Sequence, residues 1–234
     1  MISENITSLQ ERIEHKCSEV NRNSSEIKLV AVSKTFGTDD IEKVYSEGLR
    51  DFGENKAQEL SAKYEILGDK ITWHFIGHLQ RNKVRIVVPA ASIIHSVDSL
   101  QLASEINKYA AKNNKVQKIL LQVKTSEEET KSGIQSKSEL FDLARYCKEL
   151  TNIKFEGLMT IAPLTEDEEE IRQSFRQLRK LKDDLNLNGF DLKELSMGMT
   201  SDFEIAIEEG ATIIRVGRAI FGERLYCGPQ QKLP

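Results

Sequence analysis

The run KLVAVS at residues 28–33, followed at once by Lys34, sets the pattern for the whole chain. It is short, apolar and rich in β-branched residues, which predicts a buried β-strand. Seven similar runs follow it, and longer segments with apolar residues at helical spacing lie between them. Strands that alternate with helices predict βαβ units and parallel pairing. Eight such units in one chain of the α/β class predict a single (β/α)8 TIM-type barrel.

The predicted strands are spread along the chain, at residues 28–33, 51–53, 72–76, 92–96, 117–123, 154–159, 194–197 and 212–216. Ahead of the first strand, apolar residues at helical spacing predict an extra N-terminal helix that packs on the barrel: Ile2, Ile6, Leu9 and Ile13. The alternative is an open doubly wound sheet, but no GxGxxG motif follows any of the strands. The sequence therefore favours the closed barrel.

The composition is that of an ordinary globular protein, with 39% hydrophobic and 30% charged residues. No Pro- or Gly-rich linker divides the 234 residues, so we expect one domain over residues 1–234. The net charge of −4 argues against nucleic-acid binding, which usually needs a basic face. The charged N-terminal segment predicts neither a signal peptide nor a membrane span. Three cysteines, an odd count, argue against a disulfide framework. We therefore expect a cytoplasmic protein.

Lys34 stands where the first strand ends, and active sites of barrels lie at the C-terminal ends of the strands. An apolar setting disfavours the charged form of a lysine, so the neutral amine becomes available to attack a carbonyl group. The simpler explanation is a lysine that extends from the strand end to water. On the strand alone, both explanations stay open.

Two later loops have features of a phosphate site. The run SMGMTS at residues 196–201 contains Gly198, which lets the backbone approach a ligand closely. Ser201 and Glu204 have capping-box spacing, which predicts the start of a helix. In the last strand and its loop, the run RVGRAIFG places Gly217 before a short helical turn. Barrels commonly hold phosphate after strands 7 and 8, and helix N-termini favour anions. Simple turn chemistry is the alternative for either loop alone.

An amine on one side of the rim and a phosphate cradle on the other would hold a phosphorylated aldehyde. Pyridoxal 5′-phosphate (PLP) is the common cofactor of that description. Arg215 lies beside the cradle, and because arginine stays charged it would leave a facing pyridine nitrogen unprotonated; a structural ion pair is the alternative. His78 is a candidate for ligand contact or proton transfer, whereas His74, inside a strand, is expected in the core. No spacing of His, Asp or Glu resembles a metal site.

Eight distinctive stretches follow one another along nearly the whole chain: VAVSKT at 30–35, FGENKAQE at 52–59, WHFIGHLQRNK at 73–83, IHSVDS at 94–99, LLQVKTSEEETKSG at 120–133, GLMTIAP at 157–163, LSMGMTSD at 195–202 and VGRAIFGER at 216–224. Together they resemble the PLP homeostasis proteins, called the YggS/PROSC family. That family is itself similar to the N-terminal barrel of alanine racemase.

The resemblance implies that Lys34 holds PLP covalently as a Schiff base, with Asn55 and the His78 loop lining the pocket and Arg215 near the pyridine nitrogen. It implies phosphate contacts from two loops, through Met197, Gly198, Met199, Thr200, Gly217 and Arg218. Members of the family are understood as PLP carriers or regulators of PLP supply, with PLP-dependent apoenzymes as candidate partners.

The tyrosines argue against turnover. A racemase needs a second acid or base on the face opposite the lysine, and alanine racemase takes a tyrosine for it from another domain across a dimer. Here four of the five tyrosines fall on predicted helices and Tyr226 falls in the tail. We therefore expect a PLP carrier that is not an enzyme, and a monomer. Two alternatives remain, namely a racemase-like PLP enzyme and a Schiff-base aldolase acting on a phosphosugar.

Overall fold

The computed structural model describes residues 2–126 and 132–222. Its eight strands are β1 (Lys28–Val32), β2 (Asp51–Glu54), β3 (Thr72–Phe75), β4 (Ile93–Val97), β5 (Gln117–Gln122), β6 (Ile153–Met159), β7 (Glu194–Ser196) and β8 (Ile213–Val216). All neighbours pair in parallel, and β8 pairs with β1 to close the barrel. Each strand matches a predicted one to within a residue at either end. The predicted (β/α)8 TIM-type barrel is confirmed.

Helices alternate with these strands: α1 (Ile2–Glu19), α2 (Thr38–Ser46), α3 (Ala57–Leu67), α4 (Val84–Ala90), α5 (Leu100–Lys112), α6 (Lys137–Glu149), α7 (Glu168–Leu187), α8 (Phe203–Glu208) and α9 (Arg218–Phe221). Single 3-10 turns lie at Ser24–Glu26, Gly68–Lys70 and Arg81–Lys83. Most of the long helices bury one apolar stripe against the strands, as the spacing of their apolar residues predicts.

The extra N-terminal helix is confirmed, and it packs on α8 and α9. Its buried stripe consists of Ile6, Leu9, Ile13 and Cys17. Two ion pairs join its polar flank to α8, with Lys16 Nζ 2.9 Å from Glu208 Oε1 and Arg12 Nε 3.0 Å from Glu204 Oε1. At its start, the Asn5 side chain donates to the carbonyl of Ile220 in α9 at 3.0 Å. The helix therefore supports the last βα unit of the barrel.

Alternate residues of each strand enter two different cores, as the period of two in a strand requires. One side packs against the helices in a large apolar cluster. The other side contributes a small cluster with one residue from each of five strands: Val30, Ile93, Leu120, Met159 and Ile213. Four buried polar side chains from the strands accompany it: His74, His95, Ser196 and Arg215. The barrel interior is therefore partly polar.

The structure describes two of the three cysteines. Cys17 on α1 and Cys147 on α6 are free and buried. Burial raises the pKa of the Cys147 thiol to about 12, so it stays protonated and inert at pH 7. Cys227 and Tyr226 lie outside the described residues. Among residues 2–126 and 132–222, no helix combines the length and apolar character needed to span a membrane.

Candidate functional site

A cavity of about 900 Å³ opens at the C-terminal ends of the strands. Eight of the ten predicted site residues line it: Lys34, Asn55, His78, Met199, Thr200, Arg215, Gly217 and Arg218. These residues come from five different strand ends, and the closed barrel brings them together. Met197 and Gly198 do not line the cavity in this structure.

Lys34 lies two residues after the end of β1, in a tight turn in which the N–H of Phe36 donates to the carbonyl of Ser33 at 3.1 Å. Thr35 has a φ of 73°, a conformation that costs energy for a β-branched residue. Its N–H donates to Glu59 Oε2 at 3.1 Å, which compensates part of that cost. The turn thus fixes the backbone on both sides of the lysine.

A buried ion pair between Glu54 and Lys63 stabilises the turn at Lys34. Glu54 Oε1 lies 2.7 Å from Lys63 Nζ and accepts from the Ser33 hydroxyl at 2.6 Å, while Lys63 also donates to the Ser33 carbonyl at 2.9 Å. Burial raises the pKa of Glu54, and the contacts with Lys63 and Ser33 oppose that rise. Ser33 is therefore held at both its hydroxyl and its carbonyl, one residue before Lys34.

Arg215 extends from β8 and is 5% exposed. Its Nη1 donates to Ser196 Oγ at 2.7 Å and its Nη2 donates to the carbonyl of Thr160 at 2.9 Å. Burial lowers the pKa of Arg215 to about 10, with the charge of Asp202 opposing the change, so the guanidinium still carries its charge at pH 7. No ion pair to Arg215 occurs within the described part of the chain, unlike the structural ion pair that the sequence left open.

The loop after β7 turns at Gly198, which has a φ of 92°. A Cβ at this position would lie 2.6 Å from the Cβ of Ala206, so only glycine fits. The Met197 side chain is fully buried in the large apolar core. Met199 and Thr200, one step further, reach the cavity.

The capping box predicted for this loop is wrong. Helix α8 begins at Phe203, with Asp202 at the N-cap. The Asp202 carboxylate accepts from the N–H of Met199, back in the loop, and does not cap the helix. Helices α8 and α9 have only six and four residues, so their dipoles contribute little charge. Side-chain cations would therefore supply most of the positive charge that an anion meets in this cavity.

Those cations are present. Lys34, Lys124, Arg215 and Arg218 line the cavity, and no carboxylate from the described residues does. A cavity lined by these four basic side chains, with no acid among its described lining, favours an anion. Lys124 follows β5 at the same rim but was not among the predicted site residues. Its position at a strand end was the signal that could have included it.

Close backbone packing places Asn55 and His78. A Cβ on Gly77 would lie 2.1 Å from the carbonyl oxygen of Asn55, so the loops after β2 and β3 can touch only through a glycine. One lining side chain of the cavity is aromatic, namely Phe36, whose ring stacks on Phe221 with ring centroids 4.6 Å apart. The cavity therefore combines cations with a flat apolar surface, which suits a planar, phosphorylated ring.

Fold and site together define a (β/α)8 barrel with a cavity lined by basic side chains at its C-terminal rim. The family model of the alanine racemase N-terminal domain matches residues 9–225. The pyridoxal phosphate homeostasis protein of Aquifex aeolicus is 46% identical over 225 residues, which are 95% of this chain and 98% of that protein. The one from Pongo abelii is 40% identical over 85% of this chain and 77% of its own length. The chain belongs to the pyridoxal phosphate homeostasis proteins, within the alanine racemase N-terminal domain family.

Solved structures agree on the fold. PipY of Synechococcus elongatus PCC7942, solved with PLP bound, superposes with a TM-score of 0.84 at 36% identity, over 95% of this chain and all of that one. The alanine racemase of Clostridium difficile 630 gives 0.76 at 15% identity over 95% of this chain. This chain covers only 57% of that enzyme, and the likeness shows the fold alone.

Proposed function

We propose that this protein binds PLP covalently through Lys34 as a Schiff base and serves intracellular PLP homeostasis without catalytic turnover. One observation carries the proposal: the predicted lysine lines a cavity together with three further basic side chains, and no carboxylate of the described residues lines it. PLP supplies an aldehyde for the amine, a phosphate for the cations and a pyridine ring that acts as an electron sink. The PLP-bound relative supports the same cofactor for this chain.

Each of the ten predicted site residues has a role under this proposal. The turn around Lys34 presents its amine at the rim. Arg218, Thr200 and the backbone at Gly217 hold the phosphate, while Met197 and Gly198 shape the loop that brings Met199 and Thr200 to the cavity. Arg215 donates toward the ring nitrogen, and because it keeps its own proton it leaves that nitrogen unprotonated. Asn55, His78 and Met199 form the remaining walls.

The positions of the tyrosines support a carrier over an enzyme. Tyr45, Tyr64, Tyr109 and Tyr146 lie on α2, α3, α5 and α6, and none of these four lines the cavity. The described residues thus offer no tyrosine as the second acid or base that racemisation needs. The relatives are named as homeostasis proteins and not as enzymes. We further propose a cytoplasmic monomer of one domain that passes PLP to PLP-dependent apoenzymes.

The covalent link is tested by absorption spectroscopy of the purified protein, followed by borohydride reduction and peptide mass mapping. We expect a visible band and a reduced PLP adduct on Lys34. The Lys34→Ala variant should lose both. The Lys124→Ala variant is the matched control, because it removes a cation from the same cavity and should keep the band. A band that survives in Lys34→Ala, or its absence from the wild type after PLP addition, overturns the proposal.

The lack of turnover is tested by deuterium exchange at the α-carbon of several amino acids. We expect the PLP-loaded protein to exchange no faster than free PLP with the same buffer. Sustained exchange that depends on His78 would instead support the racemase-like alternative, since His78 lines the cavity and an imidazole can transfer protons.

A further inference from the structure

A buried hydrogen-bonded chain crosses the barrel interior and ends at Arg215. Asp51 Oδ1 lies 2.8 Å from His74 Nε2, and His74 Nδ1 lies 2.9 Å from His95 Nε2. His95 Nδ1 lies 2.9 Å from Ser196 Oγ, which accepts from Arg215 at 2.7 Å. Asp51 is the first residue of β2, with a side chain 25% exposed, and both histidine side chains are fully buried. These hydrogen bonds thus link the N-terminal end of the barrel to the cavity.

Both imidazoles are neutral at pH 7. Burial lowers the pKa of His74, against the opposing effect of Asp51, and burial lowers the pKa of His95 further below its ordinary value. The charged groups that act on the two rings are Asp51, Lys28, Glu194 and Arg215. A neutral imidazole has one donor nitrogen and one acceptor nitrogen, so each ring is in one of two tautomers.

The two ends of the chain determine those tautomers. Arg215 can only donate, and the Asp51 carboxylate can only accept. His74 must therefore donate from Nε2 to Asp51 and accept at Nδ1 from His95. His95 must then carry its proton on Nε2 and accept at Nδ1 from the Ser196 hydroxyl. Every hydrogen bond points from Arg215 toward Asp51.

We propose that Ser196, His95 and His74 are positioning residues that hold the guanidinium of Arg215 in one orientation at the cavity. An arginine side chain has many rotamers, so a fixed orientation needs anchors. Here the anchors are Ser196 Oγ and the Thr160 carbonyl. The role for PLP rests on the proposed function, because the guanidinium would face the ring nitrogen.

The hydrogen-bonded chain from Arg215 to Asp51 also affects the charge of the cavity. A carboxylate next to Arg215 would stabilise its charge but would repel a phosphate in the same cavity. The three neutral groups instead connect Arg215 to a carboxylate at the far end of the barrel. The charge of Asp202, which does not line the cavity, stabilises the cation. Because aligned hydrogen bonds polarise one another, the link to Asp51 adds to that effect while the described lining stays free of acids.

The tautomers are tested by NMR of the full chain without PLP, with ¹⁵N-labelled histidine. We expect the rings of His74 and His95 to be neutral at pH 7, with the proton on Nε2 in both. A charged ring, or a proton on Nδ1 of either ring, would contradict the direction proposed for the hydrogen bonds from Arg215 to Asp51. This measurement does not depend on PLP binding.

The positioning role is tested with Ser196→Ala and His95→Leu, which interrupt the chain at two points. We expect each to weaken PLP binding about tenfold, the effect of losing a hydrogen bond to a charged group, and to shift the absorption maximum of bound PLP. His95→Gln keeps one donor and one acceptor and should restore most of the affinity. His15→Leu makes the same change on the exposed face of α1 and should have no effect.

The outcomes separate the two proposals. If the wild type binds no PLP, the proposed function fails whatever the tautomers are. If the wild type binds PLP but folded Ser196→Ala binds it with unchanged affinity and spectrum, the positioning role fails and the proposed function stands. Should His95→Leu not fold, Ser196→Ala and the NMR measurement still decide the matter.

Discussion

At the scale of single residues, Gly198 tests how the cavity loop is built. A side chain at this position would be destabilising for two reasons. The φ of 92° strains the backbone of any other residue, and its Cβ would lie 2.6 Å from the Cβ of Ala206. Gly48 has a φ of 98° but no atom within 4 Å of a Cβ. We expect Gly48→Ala to lower the free energy of unfolding by about 1–2 kcal/mol and Gly198→Ala by a further 1–3 kcal/mol, measured by urea unfolding. Equal losses would show that packing against α8 plays no part.

The buried pair of Glu54 and Lys63 is a second test at this scale. Removing one member leaves the other charged and buried, so we expect Glu54→Leu or Lys63→Met to cost about 3–5 kcal/mol of unfolding free energy. The double variant should cost clearly less than the sum, because no unpaired charge remains. A double-mutant cycle by urea unfolding gives the coupling energy. Additive losses would contradict the pairing.

At the scale of elements, α1 is part of the barrel's stability although it lies outside the βα repeat. Leu9 is 2% exposed against α8 and α9, so Leu9→Ala should lower the free energy of unfolding by about 2–5 kcal/mol. Leu187→Ala makes the same change at a helix end where the side chain is 86% exposed, and it should cost less than about 0.5 kcal/mol. Urea unfolding of both variants makes the comparison. A small loss in Leu9→Ala would mean that α1 docks only loosely.

At the scale of the whole molecule, the buried histidines make stability depend on pH. Burial lowers the pKa of His74 and of His95 below 6.5 in the folded state. Below about pH 6.5 the unfolded chain binds protons that the folded barrel does not, so the free energy of unfolding falls as the pH falls. Each histidine contributes up to about 1.4 kcal/mol per pH unit. Urea unfolding between pH 8 and pH 5 should show a shallower fall in His95→Gln than in His15→Gln. If the free energy of unfolding falls equally with pH in the two variants, the lowered pKa of His95 is contradicted.

The sequence by itself determined the strands, their order and the rim on which the site lies. Strand and helix periodicities are local properties, so the barrel and every strand could be predicted to within a residue. The rule that sites lie at the C-terminal ends of strands then selected Lys34, Thr200 and Arg215 without any coordinates. That eight of the ten predicted residues line one cavity follows from this topology.

Only the tertiary structure decided how side chains meet across the barrel. His74, His95 and Ser196 come from β3, β4 and β7, and their contacts depend on strand register and closure, which local patterns do not encode. The same holds for Asp202, whose carboxylate binds the loop because the turn at Gly198 brings the Met199 N–H to it. Burial also falls in this class, since it is set by residues distant in sequence. Burial removes Met197 from the cavity lining and places Arg215 inside the barrel. There Arg215 is held by hydrogen-bonded residues that come from separate parts of the sequence.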